Sequence, residues 1–128
     1  MTYYLATTIK ASDIDDAVAT VTEALKVEGF GILTDIDVKA TMKKKLDRDF
    51  RPYRILGACN PPLAHQALSA EDKIGTMLPC NVIVQQSAND FEVAAVDPVA
   101  SMSAVENPEL GSLAGEVREK LRRVIEGL

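Results

Sequence analysis

Residues 80–96, CNVIVQQSANDFEVAAV, decide the fold of this chain because two strand-like runs flank a single turn. The stretch from Ile74 to Gln86 contains a predicted strand on which Cys80, Val82 and Val84 share one face, and Phe91 to Val96 forms the next predicted strand. Between them, Ser87-Ala88-Asn89-Asp90 has the composition of a tight turn. The stretch therefore predicts an antiparallel hairpin late in the chain.

The residues ahead of this hairpin alternate between strand and helix patterns. The clearest helix carries apolar side chains at helical spacing up to Leu25, with Ser12 as its predicted N-cap and Gly29 at its left-handed end. Asn60 is a favourable N-cap and Pro61 a favourable first residue for a short helix that reaches Leu68. The other predicted elements are strands at 3–9, Phe30 to Asp35 and Tyr53 to Cys59, and a helix on which Val38, Met42, Leu46 and Phe50 share a face.

The chain closes on a long amphipathic helix. Its apolar side chains recur on one face, so we expect Leu113, Val117, Leu121 and Ile125 to be buried. Together with the hairpin, this pattern predicts an α+β fold in β-α-β-α-β-α-β-β-α order, a two-layer, mainly antiparallel curved sheet of about five strands with helices on one face. A doubly wound parallel sheet is the alternative, although a terminal hairpin fits it poorly.

Composition limits the class of protein. With 128 residues and 47% hydrophobic residues, residues 1–128 are expected to form one domain that folds without disulfides. The net charge of −5 and the scarcity of aromatic residues argue against nucleic-acid binding, and no apolar run is long enough for a membrane span. Residues 39–54 are basic against an acidic remainder, which we interpret as a solvated helix face; an anion-binding patch and an intersubunit contact are the alternatives. The sequence begins without a signal-like segment, so we predict a cytoplasmic protein with free thiols.

Two Cys-Asn dipeptides form the candidate site, namely Cys59-Asn60 and Cys80-Asn81. Cys59 precedes a predicted helix, whose N-terminal partial charge favours a thiolate. Asn81 lies in a predicted strand, where asparagine is disfavoured and needs a partner or a ligand. The alternatives are that both cysteines merely fill the core and that Asn60 is only a helix cap.

Other chemistry has little support in the sequence. His65 is the single histidine and falls on the exposed side of its helix; Met77 could offer sulfur to a soft ion, but the set of ligands is incomplete, so we expect no metal. No phosphate loop, dinucleotide fingerprint or G-x-S-x-G elbow occurs, and no cofactor is predicted. Asp35 and Asp37 precede a helix and are interpreted as capping residues rather than paired catalytic carboxylates.

The chain resembles the domain-of-unknown-function family 302. The likeness rests on the stretches Glu28-Gly29-Phe30-Gly31, Tyr53 to Pro61 with Ala64 and Ala67-Leu68, Gly75 to Val82, and Asp97-Pro98. The resemblance implies a compact α+β domain and a homodimer, and it implies no established activity and no catalytic residue.

The leading hypothesis is a small homodimeric ligand-binding or sensing module with its pocket near the two Cys-Asn dipeptides. If the strands that carry Cys59 and Cys80 are neighbours, both motifs lie at one end of the sheet beside a helix start. Such a position suits a small polar or anionic ligand. The alternative is a thiol-dependent enzyme, or a sulfur or soft-metal carrier, that uses Cys59 and Cys80.

Overall fold

The computed structural model describes residues 2–128, which form five strands, five α-helices and one 3₁₀ turn. The predicted hairpin is present, as are the predicted end of α1 at Gly29 and the predicted start of α3 at Asn60. The elements are β1 Tyr4–Ile9, α1 Ile14–Val27, β2 Gly31–Asp37, α2 Val38–Leu46, β3 Tyr53–Cys59, α3 Pro61–Ala70, the 3₁₀ turn Ile74–Met77, β4 Cys80–Ser87, β5 Asp90–Val96, α4 Pro98–Ser101 and α5 Pro108–Gly127.

The five strands form one open sheet in the order β1-β5-β4-β3-β2, and all four pairings are antiparallel. This arrangement confirms the predicted α+β class and rules out the doubly wound alternative. In the hairpin, Ser87 is opposite Asp90, so the turn is as short as the sequence predicted. Ala88, the first residue of the turn, has a φ of 54°, in the left-handed region that glycine adopts more readily.

Helix α1 shows how local hydrogen bonds set an element's ends. The N–H groups of Gly29 and Phe30 donate to the carbonyl oxygens of Lys26 and Leu25, each at 3.0 Å, and Gly29 has a φ of 87°. These bonds make the glycine-terminated helix end that the sequence predicted. The predicted N-cap was one residue early. Asp13 is the N-cap, because its carboxylate accepts from the Asp16 N–H at 2.8 Å.

The core lies between the sheet and the two longer helices. Alternate side chains of β3, β4 and β5 point toward α1 and α5, where they are removed from water. Its most deeply buried members are Val21, Leu25, Leu56, Val82, Val84, Val93 and Leu121.

Helix α5 is longer than its apolar pattern indicated, since Asn107 caps it and it begins at Pro108. Leu121 and Ile125 are buried, as predicted. The prediction was wrong for Leu113 and Val117, which are only half-buried. Both line a cavity near the start of the helix.

Helix α2 ends at Leu46, so the prediction that Phe50 belongs to its apolar face was wrong. Asp47 follows in the left-handed region with a φ of 51°, and the chain then leaves the helical path. The ring of Phe50 instead lies 6.2 Å from that of Tyr53, and the Arg51 guanidinium stacks on it at 4.6 Å. All residues of α2 are exposed or half-buried, consistent with a solvated basic helix.

The two aspartates before α2 have different roles. Asp37 is the N-cap, accepting from the Ala40 N–H at 2.9 Å, as predicted. Asp35 is no cap: both of its carboxylate oxygens accept from the Arg54 guanidinium, at 2.8 and 2.6 Å. That bidentate bond, set against a smaller desolvation effect, lowers the pKa of Asp35. Arg54 also donates to Asp15, which ties α1 to the β2–β3 pair.

Candidate functional site: an apolar cavity at one end of the sheet

Three of the four candidate residues meet at one end of the sheet. Strands β3 and β4 are neighbours, with Ala58 opposite Cys80, so the end of β3 lies beside the start of β4. Cys59 and Asn60 lead from β3 into α3. These two residues and Cys80 all line one cavity.

The cavity has a volume of about 260 Å³ and lies between this end of the sheet, α3 and the first half of α5. Its walls are overwhelmingly apolar. Asn60 and the two thiols are the polar side chains among its described lining residues, and none of those residues carries a formal charge. The principal apolar members are Phe30, Leu63, Ala67, Leu78, Leu110, Leu113, Ala114 and Val117.

Two leucines mark where the cavity meets solvent. Leu33 and Leu68 both line it, yet 66% and 45% of their respective surfaces are exposed. Leu33 is exposed because the β2–β3 register shifts between Ile32 and Thr34, which places an extra residue in the edge strand. The mouth of the cavity is therefore apolar as well as its interior.

Cys80 is unsuited to act as a nucleophile. It is buried, with 7% of its surface exposed, and it belongs to the core as well as to the cavity wall. Burial raises the pKa of its thiol to about 11, and the nearby Cys59 contributes in the same direction. The Cys80 thiol is therefore protonated near neutral pH. Because the thiolate is the reactive form, the protonated thiol is a poor nucleophile.

Cys59 differs from Cys80 in its exposure. It is half-buried, and both cysteines are free thiols. It is the last residue of β3 and stands two positions ahead of the first residue of α3, as the sequence predicted. Both cysteines line the cavity, but Cys59 is the more accessible of the two from solvent.

Asn60 has a clear structural role. Its Oδ1 accepts from the Leu63 N–H at 3.4 Å, which confirms the predicted N-cap, and its Nδ2 donates to the Glu28 carbonyl at 3.3 Å. The side chain thus joins the start of α3 to the end of α1. Both of its polar ends are used within the fold.

The start of α3 offers no free donor for an anion. Pro61 and Pro62 have no N–H, the Leu63 N–H is bonded to the Asn60 side chain, and the Ala64 N–H donates to the Asn60 carbonyl at 2.9 Å. The unpaired N–H groups on which the polar or anionic ligand was predicted are therefore missing from residues 61–64.

Asn81 lies away from the other three candidates. Strand alternation places it on the opposite face of the sheet from Cys80, and its side chain is exposed. It lines a separate hollow of about 440 Å³ that also contacts Tyr53 and Gln85. The Cys80-Asn81 dipeptide is therefore divided between two surfaces.

Sequence reasoning missed the part of the cavity wall that comes from distant segments. Leu113 and Val117 were assigned to the core, because an apolar helical face does not reveal whether it meets protein or a cavity. Phe30 was recognised only as the apolar residue after a helix. Glycine at 57 did carry a signal: a Cβ there would lie 2.2 Å from Thr34 Oγ1 and 2.6 Å from Pro79 Cγ. That close approach lets Pro79 reach the cavity wall.

The soft-metal reading gains no support from these positions. Met77 is 37% exposed and is not among the residues that line the cavity, and His65 is exposed on α3. Over residues 2–128, no three His, Cys, Asp or Glu side chains come together as a metal site would need. Within the same residues, no helix combines the length and hydropathy required to cross a bilayer.

Comparison with known proteins places this architecture in a family. Residues 5–128 match the family described as Domain of unknown function DUF302. This chain belongs to the DUF302 family. The family match extends from β1 to α5, so the cavity and the sheet both lie within the family domain.

A solved structure agrees with the fold of this DUF302 chain. The crystal structure of the uncharacterized conserved protein DUF302 from Bacillus stearothermophilus superposes with a TM-score of 0.90 at 24% sequence identity, covering 98% of each chain. At this identity the likeness shows the fold alone. No curated protein matches this DUF302 chain significantly.

Proposed function

We propose that this chain is a small homodimeric binding module that takes an uncharged, largely apolar ligand in the cavity beside Cys59 and Cys80. The observation that carries the proposal is the cavity's lining, which is overwhelmingly apolar and reaches solvent between exposed leucines. Apolar surface open to water is costly, so an apolar ligand that enters gains from leaving water.

The size of the cavity limits the ligand. At about 260 Å³ it exceeds the roughly 150 Å³ engineered cavity that admits benzene. It falls just below the range of about 300–1,000 Å³ that is typical of drug-sized ligands. The proposed ligand is therefore a single substituted ring or a short acyl or alkyl chain.

The lining also disfavours a charged ligand. A carboxylate or ammonium placed among these side chains would lose its hydration without gaining a partner of opposite charge. A neutral polar end can still face the Cys59 thiol at the wall. We therefore propose an apolar ligand at the position where the sequence suggested a polar or anionic one.

The alternative is a thiol-dependent enzyme or a sulfur or soft-metal carrier, and as an enzyme it would depend on Cys59 for its nucleophile. The raised pKa of Cys80 removes the second thiol from nucleophilic chemistry near neutral pH. The binding proposal needs no reactive thiol, because both cysteines serve it as wall residues.

Nuclear magnetic resonance titration tests the proposal with defined probes. We expect toluene and 1-hexanol to cause saturable shifts at residues such as Ala67, Leu78 and Val117, and hexanoate to bind at least tenfold more weakly than 1-hexanol. Saturable binding of hexanoate that is tighter than that of 1-hexanol would restore the anionic reading. An absence of saturable shifts with both neutral probes would refute the proposal.

A filled cavity provides the control. Ala64 is half-buried and lines the cavity, so Ala64→Phe is expected to abolish binding of both neutral probes. Ala40 is exposed on α2, away from the lining, so Ala40→Phe adds the same ring and is expected to leave binding unchanged. Rapid alkylation of Cys59 with iodoacetamide at pH 7, but not of Cys80, would keep the thiol alternative open.

A further inference from the structure

We propose that the open face of the sheet, the one turned away from α1 and α5, packs against the same face of a second copy of this chain. The open face is defined by the outward side chains of the five strands, with Tyr4, Tyr53, Ile55, Ile83, Ala94 and Val96 as its main apolar members. This inference rests on the homodimer of the proposed function and names its interface.

Strand alternation defines the face. In β4, Cys80, Val82 and Val84 are buried toward the helices, while Asn81 and Ile83 point the other way. The pairings continue this division across the sheet, because Ile83 is opposite both Ile55 of β3 and Ala94 of β5. Ala94 in turn is opposite Ala6 of β1. An apolar band therefore crosses the sheet from β3 to β1.

The face has the composition of an interface rather than of an ordinary solvated surface. All three tyrosines of this aromatic-poor chain, Tyr3, Tyr4 and Tyr53, line its hollow. Tyrosine is enriched in protein interfaces, and charged residues are depleted at their centres. Tyrosine is also among the residue types that contribute most to binding energy.

The carboxylate of Glu92 on this face already has a hydrogen-bond partner. Glu92 accepts from Gln85 Nε2 at 2.8 Å, and Gln85 Oε1 in turn accepts from Arg51 Nε at 2.9 Å. Arg51 also stacks on Phe50 and Tyr53, which holds it at the edge of the face. Covering Glu92 therefore does not leave a carboxylate without a hydrogen-bond partner.

Charge also favours a second copy as the occupant. Each chain carries a net charge of −5, so two copies repel unless they meet through a surface that is nearly neutral. The open face has no row of charges with which a strongly charged partner could pair. A partner with its own low-charge apolar sheet face fits, and a second copy supplies one by two-fold symmetry.

The available area is sufficient for such a contact. Five strands about 4.8 Å apart, each six to eight residues long at about 3.3 Å per residue, span roughly 500 Å² as a flat projection. Projecting side chains raise the accessible area toward the about 800 Å² per partner of a standard interface. Two such faces would pack about 10 Å apart, as in a β-sandwich.

Sedimentation velocity and equilibrium on the full chain test the interface. We expect a dimer at micromolar concentration. Ile83→Lys at the centre of the face and Tyr4→Lys at its rim are each expected to weaken dimerisation at least tenfold. Val27→Lys, at an 82% exposed position at the end of α1, makes the same change in charge away from the face and is expected to leave the dimer intact.

Tyr4 is 43% exposed, so its substitution tests the face even if Ile83→Lys unfolds the protein. A wild-type chain that stays monomeric up to high micromolar concentration overturns the proposal. So do folded lysine variants, checked by circular dichroism, that dimerise as tightly as the wild type. The toluene titration tests the cavity independently of the interface, since monomeric Tyr4→Lys is expected to bind toluene as the wild type does.

Discussion

Gly29 and Asn60 are in contact although they lie 31 positions apart: a Cβ built on Gly29 would be 2.9 Å from the Asn60 Nδ2. The same nitrogen donates to the carbonyl of Glu28. The end of α1 and the start of α3 therefore share one amide side chain. This contact holds α3 where it forms a wall of the cavity.

Gly29→Ala is expected to destabilise the fold. The φ of 87° costs an L-residue about 1–2 kcal/mol, and the added methyl would also press on the Asn60 amide. Urea unfolding should show a lower midpoint and a free energy of unfolding that is reduced by at least that amount. Gly115→Ala is the matched control, since a Cβ there meets nothing within 4 Å and alanine favours a helix interior by about 1 kcal/mol. Equal destabilisation by both changes would contradict the contact.

Ala88→Gly is expected to stabilise the hairpin. Ala88 has a φ of 54° at the first central position of a two-residue turn, where glycine is preferred. Relief of the left-handed conformation should outweigh the added flexibility of the unfolded chain, for a net gain of about 0.5–1 kcal/mol. Thermal unfolding measures the gain. Asn89→Gly, at the next position, is expected to give no comparable increase.

The buried thiol of Cys80 predicts a loss of stability in alkaline solution. Its pKa rises from 9.0 in the unfolded chain to about 11 in the folded protein, so between these values the unfolded state releases a proton that the native state retains. The contribution is complete below about pH 9 and is lost as the pH rises to about 11. It corresponds to at most about 3 kcal/mol.

Cys80→Ala provides the comparison for that prediction. Removing the thiol costs some packing at every pH, but the variant should lose less stability between pH 8.5 and 10.5 than the wild type does. Denaturant unfolding at several pH values measures the two slopes. Parallel slopes would show that Cys80 ionises with an ordinary pKa.

Leu121→Ala is expected to cost about 2–5 kcal/mol of unfolding free energy, because this side chain is fully buried between the sheet and α1. Leu113→Ala changes the same residue type on the same helix, but Leu113 is half-buried beside the cavity, so its cost should be clearly smaller. Chemical denaturation of the two variants makes the comparison. A cost well under 1 kcal/mol at Leu121 would show that the core assignment is wrong.

Local signals in the sequence determined the elements and the class of fold. The hairpin follows from alternation on either side of a four-residue turn, and the ends of α1 and α3 follow from Gly29 and Asn60. The helix ends are readable because their hydrogen bonds join residues at most five positions apart, and the hairpin is readable because its two strands are adjacent in the chain.

Only the tertiary structure decided what the candidate residues face. The cavity arises because α3, from the middle of the chain, and α5, from its end, pack beside each other without filling the space above the sheet end. The half-buried state of Leu113 and Val117 depends on that space and leaves no mark on their helical spacing. The link from the start of α3 to the end of α1 also depends on the tertiary structure, because it forms only where the Asn60 amide reaches the Glu28 carbonyl. Helical periodicity records that a face is apolar, whereas the packing of distant segments decides whether that face meets protein, solvent or a ligand.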